Sequence, residues 1–315
     1  MHQEKTTNSE GKAVFNISYS SAVTISFNCS FAGDSNYNES AASISLEYIE
    51  AAPEINISAD TLVGETGGTI QITVSATGIP PQAPLYLVED GKETVTLDSK
   101  AYPDKMKYTC TGAGDVKLKV KCILGTNVYY SNILTVEDCL FYDTMTSESD
   151  RWVRTSDIIV DIDSEGTKFS TNSNSEQQYR LPSKYFTPPY TIEFDWVDGG
   201  GNQKMALELW PDTKYSGDTC WYGSHWDSGA NKFIISTYPS STSSSKTEAD
   251  ITRDINPNDH LKFIVEPNNV KLYQNGELIL NKHQGKTCDT QYFCFYTNKN
   301  RIQKVKNLKI KHYSE

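Results

Sequence analysis

Three observations predict an all-β chain built from successive sandwich units. Apolar residues recur at period two in many short segments, as in Val116, Leu118, Val120 and Cys122 or Leu261, Phe263 and Val265. Pairs that tolerate the positive φ of tight hairpins, Asp90-Gly91 and Asn275-Gly276, separate such segments. No stretch joins a helical period to helix caps. Composition agrees: 11% of the 315 residues are aromatic, with 19 tyrosines and only 4 methionines, and aromatic and β-branched side chains suit a pleated surface. The length allows two or three domains, and the segments group as residues 1–51, 52–138 and 139–315.

Residues 1–51 carry three strand signals: Ala13, Phe15 and Ile17; Val23 to Phe31 at alternate positions; and Ile44, Leu46 and Tyr48. FAGDSNYNES is a turn-rich connection between the last two. Three strands leave an apolar face and a bare edge. Completion by strands of a longer chain, a partner or a neighbouring copy is therefore expected. The passage TTNSEGKAVFNI…VTISFNCSFAGDSNYNES resembles the second half of the immunoglobulin-like repeats of large surface adhesins. Such repeats recur in bacteria and, abundantly, in methanogenic archaea and their viruses. The resemblance implies a partial immunoglobulin-like repeat.

In residues 52–138, Ile55 and Ile57 mark a strand, then Ile70, Ile72, Val74 and Ala76, then Leu85 and Leu87 after the stiff turn GIPPQAP. Val95 and Leu97 follow Asp90-Gly91. Met106, Tyr108 and Cys110 come next, then DVKLKVKC, Val128 with Tyr130, and Ile133 to Val136. Seven short strands at this spacing read as a complete immunoglobulin-like β-sandwich. Its closing segments resemble the same repeat class. Tyr108-Thr109-Cys110 resembles a tyrosine corner, but the second strand carries no cysteine to form the antibody-type disulfide. Lys117, Lys119 and Lys121 read as a solvated face that discourages edge pairing. ILTVEDCLFYDTM then enters the last unit without Gly or Pro, so the joint is expected to be stiff.

Residues 139–315 open on CLFYDTMTSESDRWVR and continue with YRLPSKYFTPPYTIEFDW, where Tyr190, Ile192, Phe194 and Trp196 alternate with polar neighbours. MALELW, KFIIST, LKFIVE, VKLYQNGELIL, QYFCFYT and VKNLKIKHY complete the set. The opening, the central hairpin LKFIVEPNNVKLYQNGELIL and the ending resemble the concanavalin A-like, laminin-G-like sandwich family over most of these residues. The resemblance implies a jelly-roll sandwich, a fold that hosts lectins, glycosidases and plain spacers.

The net charge of −11 and pI near 5.0 argue against nucleic acid or an anionic membrane as partner. No apolar run is long enough for membrane insertion, and MHQEKTTNSEGKAVF has no apolar core of a secretory signal. Seven cysteines are widely spread, with no zinc spacing. Cys29, Cys122 and Cys294 read as buried small hydrophobes. A bridge from Cys220 to Cys288 or Cys294 stays open.

Candidate chemistry concentrates in WPDTKYSGDTCWYGSHWDSGANKF. It holds Trp210, Tyr215, Trp221, Tyr222, His225 and Trp226, with Asp218 and Asp227 among them. Lacking a regular period, it is expected to be a long loop or a pair of loops, and such segments often carry function. Flat rings stack on the apolar face of a sugar while carboxylates bond its hydroxyls. The competing reading makes Trp210 the end of a strand and has Trp221 and Trp226 plug the sandwich. One glycosidase branch of the resembling family carries two carboxylates as E-x-D-x-E or E-x-D-x-x-E. The matching run here, Glu193-Phe194-Asp195-Trp196-Val197-Asp198, ends on Asp and on the opposite strand face from Glu193, so no catalytic residue is assigned. Asp161, Asp163 and Glu165 alternate as in a calcium turn but lack the further ligands calcium needs; a solvated turn is the better reading, and no cofactor or metal is expected.

The expectation is a non-enzymatic adhesin with an immunoglobulin-like stalk and a glycan-binding tip. It fits a tail-fibre or receptor-binding protein of a virion that attaches to a host-envelope glycan and joins preceding fibre domains or further copies of itself. A fragment of a prokaryotic cell-surface adhesin and a glycoside hydrolase acting on cell-wall polysaccharide are the alternatives.

Overall fold

The computed structural model describes residues 23–48, 52–81, 83–98, 104–175, 177–198, 206–210, 219–227, 230–238, 246–283, 291–299 and 302–313. Every regular element among them is a strand, as the alternating pattern predicts. The first two, β1 (Val23–Phe31) and β2 (Ser40–Tyr48), form an antiparallel ribbon in which Phe27 faces Ile44. Among the described residues this ribbon pairs with no other strand, and Phe31 and Ile44 are 44% and 58% exposed. Cys29 is exposed, which corrects the expectation of burial: no described layer covers its face. The expected strand at Ala13, Phe15 and Ile17 lies outside the described residues.

Nine strands follow: β3 (Glu54–Ala59), β4 (Val63–Glu65), β5 (Thr69–Thr77), β6 (Pro84–Glu89), β7 (Lys92–Asp98), β8 (Asp104–Thr109), β9 (Gly114–Leu124), β10 (Asn127–Tyr130) and β11 (Leu134–Cys139). One sheet runs β3-β5-β8, the other β4-β11-β9-β6-β7, with β10 beside β9. A strand split between the two sheets, with its second part β4 parallel to the last strand β11, is an immunoglobulin-like order. Between the sheets lie Ile70, Ile72, Val74, Leu85, Leu87, Leu118 and Val120, all fully buried. Tyr108 donates its hydroxyl to the buried Asp138 carboxylate at 2.6 Å, where a tyrosine corner would use a backbone acceptor. The same carboxylate accepts from Thr111 N and Gly112 N at 2.8 and 2.7 Å. Two of the outward lysines carry more than solvent: Lys119 lies 4.2 Å from the Tyr130 ring centre, and Lys121 pairs with Glu93.

The remaining strands are β12 (Phe141–Asp143), β13 (Val153–Arg154), β14 (Ile159–Asp163), β15 (Gly166–Ser170), β16 (Gln177–Phe186), β17 (Tyr190–Asp198), β18 (Ala206–Trp210), β19 (Thr219–Asp227), β20 (Ala230–Tyr238), β21 (Lys246–Thr252), β22 (His260–Glu266), β23 (Asn269–Gln274), β24 (Glu277–His283), β25 (Gln291–Thr297) and β26 (Gln303–His312). One sheet orders β14-β15-β26-β17-β22-β23-β24 with β12 beside β26; the other orders β13-β16-β25-β18-β19-β20-β21. Their facing sides enclose Phe141, Phe169, Tyr190, Ile192, Phe194, Trp196, Leu207, Leu209, Phe293 and Phe295. Asn275 and Gly276 take φ of 53° and 83° in the β23–β24 hairpin, as the dipeptide predicts. Cys294 is buried and in no disulfide, so it forms no bridge to Cys220; Cys288 lies outside the described residues.

The two cores meet closely. Only Leu140 separates β11 from β12. Arg151 reaches back to Glu65 at 2.6 Å while also holding Asp143 at 3.0 Å, and its guanidinium lies 4.5 Å from the Phe141 ring centre. Lys309 pairs with Glu137, and Lys311 Nζ lies 3.1 Å from both Glu137 and Asp115. At Gly114, φ is +94° and an added Cβ would lie 2.9 Å from the His312 carbonyl oxygen. Charged pairing and backbone contact thus hold the two cores together at the joint.

Candidate functional site

Strand alternation builds a polar layer on the outer face of the seven-stranded sheet. Tyr179 and Leu181 of β16, Phe293 and Phe295 of β25, and Leu207 and Leu209 of β18 face the core. The intervening Gln178, Arg180, Cys294, Tyr296 and Glu208 therefore lie on the other side. Glu208 is only 4% exposed. Its Oε2 accepts from Gln178 Nε2 at 3.0 Å, and the Cys294 thiol lies 3.6 Å away. Arg180 Nε in turn donates to Gln178 Oε1 at 2.6 Å. This chain fixes the amide orientation of Gln178 and anchors the carboxylate on the neighbouring strand.

Next to that layer, β19 pairs with β18 and β20, setting Trp221 opposite Glu208 and Tyr222 opposite Leu207. This corrects the expectation of a loop. Trp221, Tyr222, His225, Trp226 and Asp227 belong to a nine-residue strand, and Trp210 ends β18. Adjacent aromatics at 221 and 222 occupy both parities and hide the period. Pairing on both sides supplies the order that side-chain alternation does not show. The side chains of Trp210, Trp221, Tyr222, His225, Trp226 and Asp227, and all of Tyr215 and Asp218, lie outside the described residues. Glu208, Gln178 and Arg180 escaped the sequence reading. The signal was an acid between two core leucines in ALELW, which alternation alone assigns to solvent.

Glu193 and Asp195 lie together on the outer face of the eight-stranded sheet. Lys262 Nζ is 3.1 Å and Lys311 Nζ 3.6 Å from Glu193, and His260 Nε2 stands 3.7 Å away, an ion-pair distance. His260 Nδ1 is 2.8 Å from Asp195, which also accepts from Asn307 Nδ2 at 2.7 Å. Burial pushes the Glu193 pKa upward, but His260, Lys311 and Lys262 overcome it and hold the group at about 2. Bonding to Asp195 and then Glu193 raises His260 to about 9. The carboxylates are fixed as anions within a set of cations, an arrangement that serves cohesion and opposes proton donation.

In the β14–β15 hairpin, Asp163 is paired with Lys304 at 2.7 Å and accepts from Glu165 N at 2.9 Å. No group of three or more His, Cys, Asp or Glu able to hold a metal occurs among the described residues.

No protein-family model matches the chain, and no curated protein matches it. Solved structures match part of the chain at low identity. A Bacillus subtilis protein of unknown function with a galectin-like fold is 12% identical, covering 55% of this chain and 96% of its own, with a TM-score of 0.46. A carbohydrate binding module from Bacillus subtilis is 15% identical over 51% of this chain and 95% of its own, TM-score 0.41. A Bacillus licheniformis beta-glucanase is 11% identical over 55% and 98%, TM-score 0.41.

Proposed function

We propose that this chain is a non-enzymatic adhesin whose last sandwich recognises a glycan of a microbial cell envelope. The observation that carries the reading is the Arg180–Gln178–Glu208 chain on the sheet face beside β19, with Trp221 in register with Glu208. A sugar presents an apolar ring face and a rim of hydroxyls. Recognising it takes an aromatic surface beside fixed donors and acceptors. The engagement of Glu193 and Asp195 with His260, Lys262 and Lys311 supports binding without hydrolysis. The resemblance of the first two units to adhesin repeats, and the ion-paired joint behind the last one, support a receptor-binding protein of a virion tail. A cellular adhesin would carry the same site; finding tail and baseplate genes beside this one would favour the viral setting, and finding an upstream signal peptide would favour the cellular one.

The test is attachment of the purified chain to intact cells and isolated envelopes, with released envelope polysaccharide as competitor. Trp221→Ala and Glu208→Gln are expected to weaken attachment at least about tenfold, ~1.4 kcal/mol, with Trp226→Ala measured alongside. A chelator leaves attachment unchanged. Undiminished attachment in all three variants moves the site elsewhere, and release of reducing sugar from the envelope ends the non-enzymatic reading.

A further inference from the structure

A concavity lies at the edge of the last sandwich, lined in part by β13 and β14, edge strands of opposite sheets. Its volume is about 260 Å³, and its walls include Trp152, Val160, Ile162 and Tyr179. Trp152 stacks on Tyr179 at 4.7 Å between ring centres, with planes 6° apart. The indole is also crossed edgewise by Phe141, and its N–H is taken by Asp143 at 2.9 Å. The back wall is therefore rigid, and the indole's polar atom is already used.

Three charged side chains line the remainder: Glu148, Asp150 and Arg154. Among the described residues none of the three makes an ion pair or a side-chain hydrogen bond. Ser149, whose hydroxyl accepts from Arg151 Nε at 3.1 Å, and the Tyr179 hydroxyl are the further polar groups of the wall. Tyr179 is 6% exposed, and its hydroxyl has no hydrogen-bond partner among the described residues. Burial, with Asp143 and Glu148 against Arg154, pushes that hydroxyl up to about 12, so it stays a neutral donor across the physiological range. The ring is buried, but the hydroxyl oxygen is not among the buried polar atoms left unsatisfied, so it meets the concavity, where a polar ligand can bond it in place of solvent.

We propose that this pocket binds a small aliphatic amine that also bears a hydrogen-bond acceptor: an aliphatic α-amino acid, free or as the amino-terminal residue of a peptide. The ammonium goes to Glu148 and Asp150. The carboxylate or first carbonyl goes to Arg154 and the Tyr179 hydroxyl, and the aliphatic side chain lies against Val160 and Ile162. The volume falls below the roughly 300–1,000 Å³ of sites for drug-sized ligands, which limits the occupant to a body of this size. The site is separate from the glycan face: Tyr179 and Leu181 turn inward on β16 where Gln178 and Arg180 turn outward.

The experiment is saturation-transfer NMR and calorimetry on the full chain. The probes are L-leucine, the tripeptide Leu-Gly-Gly, N-acetyl-L-leucine and isopentylamine. Transfer to the methyls of L-leucine is expected. Binding should fall at least tenfold when the amine is acetylated, and at least tenfold for isopentylamine, which lacks the acceptor. Tyr179→Phe keeps the stacked ring and should weaken L-leucine at least fivefold, as should the exposed-site variants Glu148→Gln/Asp150→Asn and Arg154→Ala; an unchanged circular dichroism spectrum checks their fold. Binding of L-leucine alone points to a free amino acid, and binding of both L-leucine and Leu-Gly-Gly to a peptide terminus; either supports the proposal. Absence of binding by both, or affinities equal in wild type and all variants, overturns it. Envelope attachment is read separately, so either result can fail without the other.

Discussion

Lys311 Nζ lies 3.1 Å from Glu137 Oε1, and this contact joins two hydrophobic cores through one 8%-exposed ammonium. Glu193, from the same sheet as Lys311, completes the set at 3.6 Å. Burial lowers the lysine pKa, but Glu193, Glu137 and Asp115 overcome that and raise it. Removing a partner from a buried ion pair typically costs ~3–5 kcal/mol. Asp115 and Glu137 are partly solvated, so Lys311→Met is expected to cost less, about 2 kcal/mol. A lower midpoint in urea, with loss of coincidence between near-ultraviolet and far-ultraviolet transitions, is the measurement.

The same cluster sets a pH dependence. Glu193 is depressed from an ordinary 4.5 to about 2. Its contribution is therefore complete above pH 4.5 and is lost as pH falls through about 2. At ~1.4 kcal/mol per unit it amounts to about 3 kcal/mol. His260 is raised from 6.5 to about 9, so its contribution is complete below pH 6.5 and fades as pH rises through about 9. Solvent reaches this imidazole, and its share is smaller. Stability from the cluster should peak between pH 4.5 and 6.5. His260→Gln should flatten the decline between pH 6.5 and 9, read from urea midpoints across pH.

Tyr108 and Asp138 should be energetically linked. Asp138 is fully buried and accepts from the Tyr108 hydroxyl and two backbone amides. Tyr108→Phe is expected to destabilise by about 1–2 kcal/mol, and Asp138→Ala by more, since it strands both amides. In the double variant the two effects should fall short of their sum, because the Tyr108 bond is lost only once.

Gly114 and Gly276 both take positive φ, yet their alanine variants should differ. At Gly276 an added Cβ meets nothing within 4 Å, leaving a conformational cost of about 1 kcal/mol. At Gly114 the Cβ would also press on the His312 carbonyl. Gly114→Ala should lose at least twice as much stability and speed proteolysis near residue 140. Equal losses would show that the contact at His312 contributes nothing.

Much of the architecture is readable because a strand with one buried face must alternate. Val116 to Cys122 and Tyr190 to Trp196 announce themselves this way, and Asn275-Gly276 marks its own turn. The short β4, β12 and β13 span two or three residues, too few to show a period. Lys309 and Lys311 look like a solvated face in VKNLKIKHY. Their partners Glu137 and Asp115 lie far away in sequence, and only packing of the two units reveals them. For the same reason Glu208 reads as an exposed acid until Gln178 and Cys294 are set beside it. Trp221 stands out in the sequence for its ring chemistry, but its placement in a strand follows from backbone pairing that no side-chain pattern records.

The single residue between β11 and β12 has a mechanical consequence. Val136 is sealed in one core and Phe141 in the next, with Arg151 clamped to Glu65 across the seam. Tension applied along the chain finds no slack there to take up. A tug on the last sandwich is delivered undamped to the module behind it, and opening the seam requires parting the ion pairs of Arg151 with Glu65 and of Lys309 and Lys311 with Glu137 together.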